Sequence, residues 1–135
     1  MSNNACPQFL DVMSGVEKHF LTNFERTKSR ARKKQLDFDL TQDWLKERYN
    51  KGVCQVTGIP FSLETIEDPE ANECIIKRPF APSIDRKDPS KGYTQDNCQL
   101  VIWQYNQMKF LWSQKELVKF CRAVLIAEAV RKNAL

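Results

Sequence analysis

The sequence predicts an α+β domain in which helices flank a small strand, loop, strand, helix unit. Three observations predict it. Apolar residues Phe9, Val12, Met13, Val16, Phe20 and Phe24 recur at helical spacing near the start of the chain. Ser113-Gln114-Lys115-Glu116 reads as a capping box opening a final helix, with Leu117, Phe120, Cys121, Val124 and Leu125 on one face. Between them lie two extended segments, Ser83-Ile84-Asp85 and Asn97 to Ile102, the first bounded by Pro79 and Pro82, which suit strand edges. A length of 135 residues suits one domain, large enough to bury roughly 65–70% of the surface its unfolded chain exposes.

Taken in order, the first apolar stripe ends at Phe24 while helix-forming residues continue, so the first helix is expected to run on into solvent or onto a polyanion. Leu36, Phe38 and Leu40 alternate with Asp37 and Asp39 as a short extended segment. Thr41 is placed to cap a second helix, with Leu40 and Leu45 as its staple and Gly52 as its stop. Val53 to Pro60 reads as a hairpin or knuckle around Thr57-Gly58. Residues 64–73, with five acids, read as an exposed loop unsuited to DNA. Gly92 is the flexible point between the two strands, and a short helix spans about Trp103 to Leu111. Trp103, Tyr105, Met108, Phe110 and Trp112 are expected in the core. Two divisions follow: a basic helical extension over 1–40 packed on the core, and a domain over 41–135, together one structural unit.

Composition narrows function through distribution rather than totals. The chain has 21 Lys+Arg against 17 Asp+Glu, and residues 26–34 hold six of the basic groups and no acid. The remaining 15 basic groups do not outnumber the acids, so the entire net charge of +4 comes from this one segment. Arg26, Lys28, Arg30, Arg32, Lys33 and Lys34 are therefore candidate phosphate contacts, the bland reading being a solvated helix face. The longest strictly apolar run is Ala123 to Ala127, and Met1-Ser2-Asn3-Asn4 lacks a signal-peptide pattern, so membrane spanning and secretion are not expected. Five Cys without a Cys-x-x-Cys pair indicate reduced thiols in the cytoplasm. Cys54, Cys74, Cys98 and Cys121 are expected as small buried hydrophobes, not as a structural Zn²⁺ site.

The chemistry-bearing segment is Pro82-Ser83-Ile84-Asp85-Arg86-Lys87-Asp88, then Lys91-Gly92-Tyr93-Thr94, then Asp96-Asn97-Cys98-Gln99-Leu100-Val101, then Asn106. Strand, loop, strand, helix is the plan of a ββα-metal site. A carboxylate ending the first strand and an amide on the helix can converge on one hard divalent cation, of which Mg²⁺ is the best match and Mn²⁺ the next. The bland alternative for Asp85 to Asp88 is a turn with Asx-type hydrogen bonds.

These motifs, with the upstream Cys54-Gln55-Val56-Thr57-Gly58-Ile59-Pro60-Phe61, resemble the HNH, or His-Me finger, endonucleases. The likeness is to the phage and bacterial branch carrying Ser-x-Asp-Arg in place of Asp-His, and it spans about residues 38 to 111. It implies a ββα-metal core in which Asp85 and Asn106 hold the metal and Asn97 ties the loop. It further implies phosphodiester hydrolysis of duplex or branched DNA in a bacterial or phage-infected cytoplasm. Arg86 stands where the family has its histidine base. A guanidinium stays protonated and only donates, so Arg86 can grip a phosphate bidentately but cannot accept a proton. Tyr93, Tyr105 and Asp88 are the candidate bases, and Lys87 and Lys91 join the candidate DNA contacts. His19, the single histidine, sits on the first helix and reads as structural. Two functions thus stand: a metal-dependent DNA endonuclease, able to act on both strands as a homodimer, or a catalytically degenerate fold that binds nucleic acid.

Overall fold

A computed structural model describes the backbone of residues 7–67 and 76–134 and the side chains of 17–66 and 78–134. The early stripe Phe9, Val12, Met13 and Val16, most of the acidic stretch and Cys74 therefore lie outside the described side chains. Helix α1 spans Pro7–Lys33. Its docked face does not end at Phe24. It continues through small residues, Thr27 and Ala31, both buried, at spacings of three and four. The basic segment is thus held against the domain, and Arg26, Lys28, Arg30, Arg32 and Lys33 project from the exposed sides of a seated helix. The helix closes with a Schellman pattern in which Leu36 N donates to Ala31 O, Gln35 N donates to Arg32 O, and Gln35 takes φ 54°.

The extended segment at Phe38 bridges in parallel to Tyr93, so it is tied to the loop that carries Gly92-Tyr93. Tyr93 N donates to Asp37 O at 2.8 Å and Asp39 N to Tyr93 O at 3.2 Å. This contact changes the reading of Gly92. Its φ lies outside the left-handed region, and flexibility is not what it supplies. A Cβ added there would stand 2.5 Å from Asp37 O and 2.8 Å from Asp37 N. Gly92→Ala is accordingly expected to destabilise by about 1–3 kcal/mol, as overpacking does. Chemical denaturation checks this, and a loss below about 0.5 kcal/mol would mean that the 37–39 segment is free to move away.

Helix α2, Gln42–Lys51, begins at Thr41, whose Oγ1 accepts from Trp44 N at 3.0 Å, and stops at Gly52 with φ 73°. Leu40 and Leu45 are both buried, as a staple requires. The knuckle follows: Val53 bridges Pro60, Cys54 N donates to Ile59 O, and Gly58 turns at φ 72°. It docks on the second long strand, with Gln55 N donating to Leu100 O and Gln55 Oε1 accepting from Leu100 N. Residues 64–73 are not wholly loop. Strand β1, Ile66–Glu67, pairs antiparallel with β2, Ile76–Lys77, so the backbone at the two ends of the acidic stretch is brought together.

The central pair is β3, Pro82–Arg86, antiparallel to β4, Cys98–Ile102, with Asp85 opposite Gln99 and Arg86 opposite Cys98. Alternation sends Ile84, Cys98 and Leu100 into a core with Phe24, Leu40, Trp44 and Leu45, while Val101 packs with Tyr105 and Leu117 on the other face. All five residues of β4 are buried for this reason. Helix α3, Trp103–Lys109, lies along the second face, and α4, Gln114–Asn133, opens with the expected Ser113–Glu116 capping box.

The apolar residues of the last two helices depart from expectation. Tyr105 is buried and Trp103 half-buried, but Met108, Phe110 and Trp112 are 65%, 70% and 60% exposed. Only one side of α3 faces the strands. Tyr105 and Lys109, four apart, take that side and leave Met108 outside. Helix α4 docks through Leu117, leaving Phe120, Cys121, Val124 and Leu125 exposed. Cys54 and Cys98 are buried free thiols as expected, whereas Cys121 is not. No helix among the described residues is long and apolar enough to cross a membrane.

Candidate active site at the end of the paired strands

Ser83 and Asp85 are two residues apart on β3 and therefore share the face that α3 covers. The helix fastens to that face at two points. Asn106 Nδ2 donates to Ser83 Oγ at 2.8 Å and to Ile84 O at 3.3 Å. One turn on, Lys109 Nζ donates to Asp85 Oδ1 at 2.8 Å and to Arg86 O at 2.7 Å. The other carboxylate oxygen, Oδ2, accepts from Gln99 Nε2 at 2.9 Å, and the same amide group donates to Gln114 Oε1. Asp85 is 2% exposed and Lys109 1% exposed, so this is a sealed ion pair.

Asn97 has the brace's geometry. Its Nδ2 donates to Asp88 O and Gly92 O, and its Oδ1 accepts from Asp88 N, tying together both ends of the 88–92 loop. Asn97 is itself buried, which gives a strand-disfavoured residue a local task at the strand entrance. Arg86 is only half-buried. Its guanidinium lies 4.8 Å from the centre of the Tyr93 ring and donates to Lys91 O, an orientation restrained without a carboxylate partner among the described residues.

Of the candidate bases, Tyr105 is enclosed and burial raises its phenol far above the ordinary range. Tyr93 is buried with its ring beneath Arg86. Asp88 accepts from Ser90, whose hydroxyl first and backbone N–H second hold its carboxyl below the usual value, leaving a weak base. His19, expected as a structural residue, has its Nδ1 hydrogen-bonded to Tyr49 Oη at 2.7 Å. Burial, then Arg78 and Arg26, lower its pKa and favour the neutral ring.

His19 also borders a cleft of about 730 Å³ between α1 and the β3–α3 unit. Arg26, Arg30, Arg78, Ser83 and Asn106 line it as well, and among the described residues no acid does. Of the candidate DNA contacts, Arg26 and Arg30 thus meet Asn106 in one cleft. Lys28, Arg32, Lys33, Lys34 and Lys91 are exposed elsewhere, and Lys87 borders a second hollow with Lys115, Lys119 and Arg122. Asp85 lines neither space.

As folded, these residues do not fit a divalent ion. Asp85 supplies hard oxygens, but both are engaged, one by a full positive charge, and the Asn106 amide nitrogen is turned to the strand. Among the described residues no group of three or more His, Cys, Asp or Glu side chains could hold a metal. Lys109 and Gln99 were missed in the sequence. Lys109 was within reach, since Asn106 and Lys109 stand three apart and share a helix face.

The fold has a solved counterpart. The chain superposes on the rare-cutting HNH restriction endonuclease PacI with a TM-score of 0.56 over 84% of this chain and 81% of that one, at 20% identity. The likeness supports an HNH-like α+β fold. No protein-family model matches the chain, and no curated protein sequence matches it.

Proposed function

We propose that the chain is a DNA endonuclease that draws the phosphate backbone of duplex or branched DNA into the cleft between α1 and the β3–α3 unit. The observation that carries this reading is the meeting of Arg26, Arg30 and Arg78 with Asn106 in one cleft whose described lining holds no acid, on an HNH-like frame. The arginines neutralise backbone charge outside the reacting phosphate. Arg86, pre-oriented over Tyr93, grips the phosphate and stabilises charge that builds on it during cleavage. Asn97 keeps the 88–92 loop, and with it Arg86, in register. No step is assigned to a bound ion, because Asp85 is already paired. The same pair favours a second reading, a protein that binds DNA without cutting it.

Plasmid nicking with Mg²⁺ or Mn²⁺, with and without chelator, separates the two. Wild type should nick, and Arg86→Ala should lower the cutting rate by about 100-fold while changing DNA affinity much less. Equal losses in rate and affinity would remove Arg86 from the chemistry. Binding without cutting in either metal would leave the second reading, and no affinity for DNA would end both.

A further inference from the structure

We infer that Lys109 is the resident cation of the Asp85 carboxylate, so that a divalent metal ion reaches Asp85 only by displacing the Lys109 ammonium. The inference rests on Asp85 as the site carboxylate, but not on the chain cutting DNA. Its basis is the sealed triangle of Lys109 Nζ, Asp85 Oδ1 and the Arg86 carbonyl, with contacts of 2.8 and 2.7 Å. A carboxylate oxygen and a strand-end carbonyl are the hard donors that a divalent ion takes. Here the ammonium holds both. A metal ion bound to both oxygens at about 2.0–2.6 Å would have to stand between them, where the ammonium now sits. Two cations side by side in a pocket closed to water would also repel strongly, since little solvent screens them.

The placement is enforced by the fold. Asn106 pins α3 to Ser83 and Ile84, and the side chain one turn later is thereby aimed at Asp85. Gln99 holds the opposite oxygen, so the carboxylate cannot rotate away from Lys109 without losing both partners. Lys109 accordingly acts as a positioning residue: it orients the Asp85 carboxylate and the Arg86 backbone, and it sets how tightly this site takes a metal.

Mn²⁺ binding to the whole chain without DNA, followed by electron paramagnetic resonance or calorimetry, tests this apart from activity. Lys109→Met should bind one Mn²⁺ about ten-fold or more tightly than wild type. Adding Asp85→Asn to that variant should abolish the gain. Mn²⁺ should also raise the melting temperature of Lys109→Met more than that of wild type. If Lys109→Met does not fold, Lys109→Gln, which keeps a donor to Asp85 but not the charge, carries the same comparison. Equal Mn²⁺ affinity in wild type and variant would overturn the inference, as would a gain that survives Asp85→Asn. Failure of plasmid nicking alongside a gained Mn²⁺ site would count against the endonuclease and leave Lys109 as assigned.

Discussion

Asp85→Ala is expected to cost about 3–5 kcal/mol of folding stability, because it leaves the Lys109 ammonium buried with the Arg86 carbonyl as its remaining oxygen partner. The cost is that of an uncompensated buried charge. It exceeds what the intact pair adds over an apolar substitute, since both ions had to leave water to form it. Removing both charges together, as Asp85→Asn with Lys109→Met, should therefore be much milder than Asp85→Ala alone, and the non-additivity is itself a measure of the coupling. Urea unfolding at constant slope gives all of these values. An Asp85→Ala protein within about 1 kcal/mol of wild type would show that Lys109 can swing out to water, contrary to its 1% exposure. A consequence for enzymology follows. Lost nicking in Asp85→Ala reports on catalysis only if the variant is shown to be folded at the assay temperature.

How much of this was legible beforehand depends on whether the determining interaction is local. Thr41, Gly52 and the Ser113–Glu116 box are set by bonds within one helical turn, and each stands where the sequence places it. The β3–β4 pair is bounded by Pro82 and by the loop that Asn97 ties, and it too was readable. The failures are of long range. Gly92 read as a flexible hinge because the Asp37 backbone that crowds it comes from 55 positions away in sequence. Met108, Phe110 and Trp112 read as core because hydrophobicity says that a residue can be buried, not which side of a short helix meets the strands. The sealed state of Asp85 needed the register of α3 on β3, which no spacing rule supplies. A buried lysine is rarely expected, so nothing in its residue type marks Lys109 as the partner of Asp85.

The basic cleft carries the largest expected effect on function. Changing Arg26, Arg30 and Arg78 together to alanine should weaken affinity for a short duplex about a thousand-fold at low salt, taking each charged contact at about 1.5 kcal/mol. The slope of log affinity against log salt should fall by about 3, since each neutralised phosphate releases counterions. Loss of net charge alone could mimic part of this, and the second hollow provides the control. Lys115, Lys119 and Arg122 carry the same total charge around that hollow, beside Gln99 and Gln114. Their triple replacement lowers the net charge equally but leaves the Asn106 cleft untouched, so its effect on affinity and slope should be small. If the second triple weakened binding as much as the first, affinity would follow overall charge rather than a track. If it weakened binding more, the DNA would lie along α4. In that case the basic arm of α1, for all its prominence in the sequence, would be the solvated helix face of its blander reading.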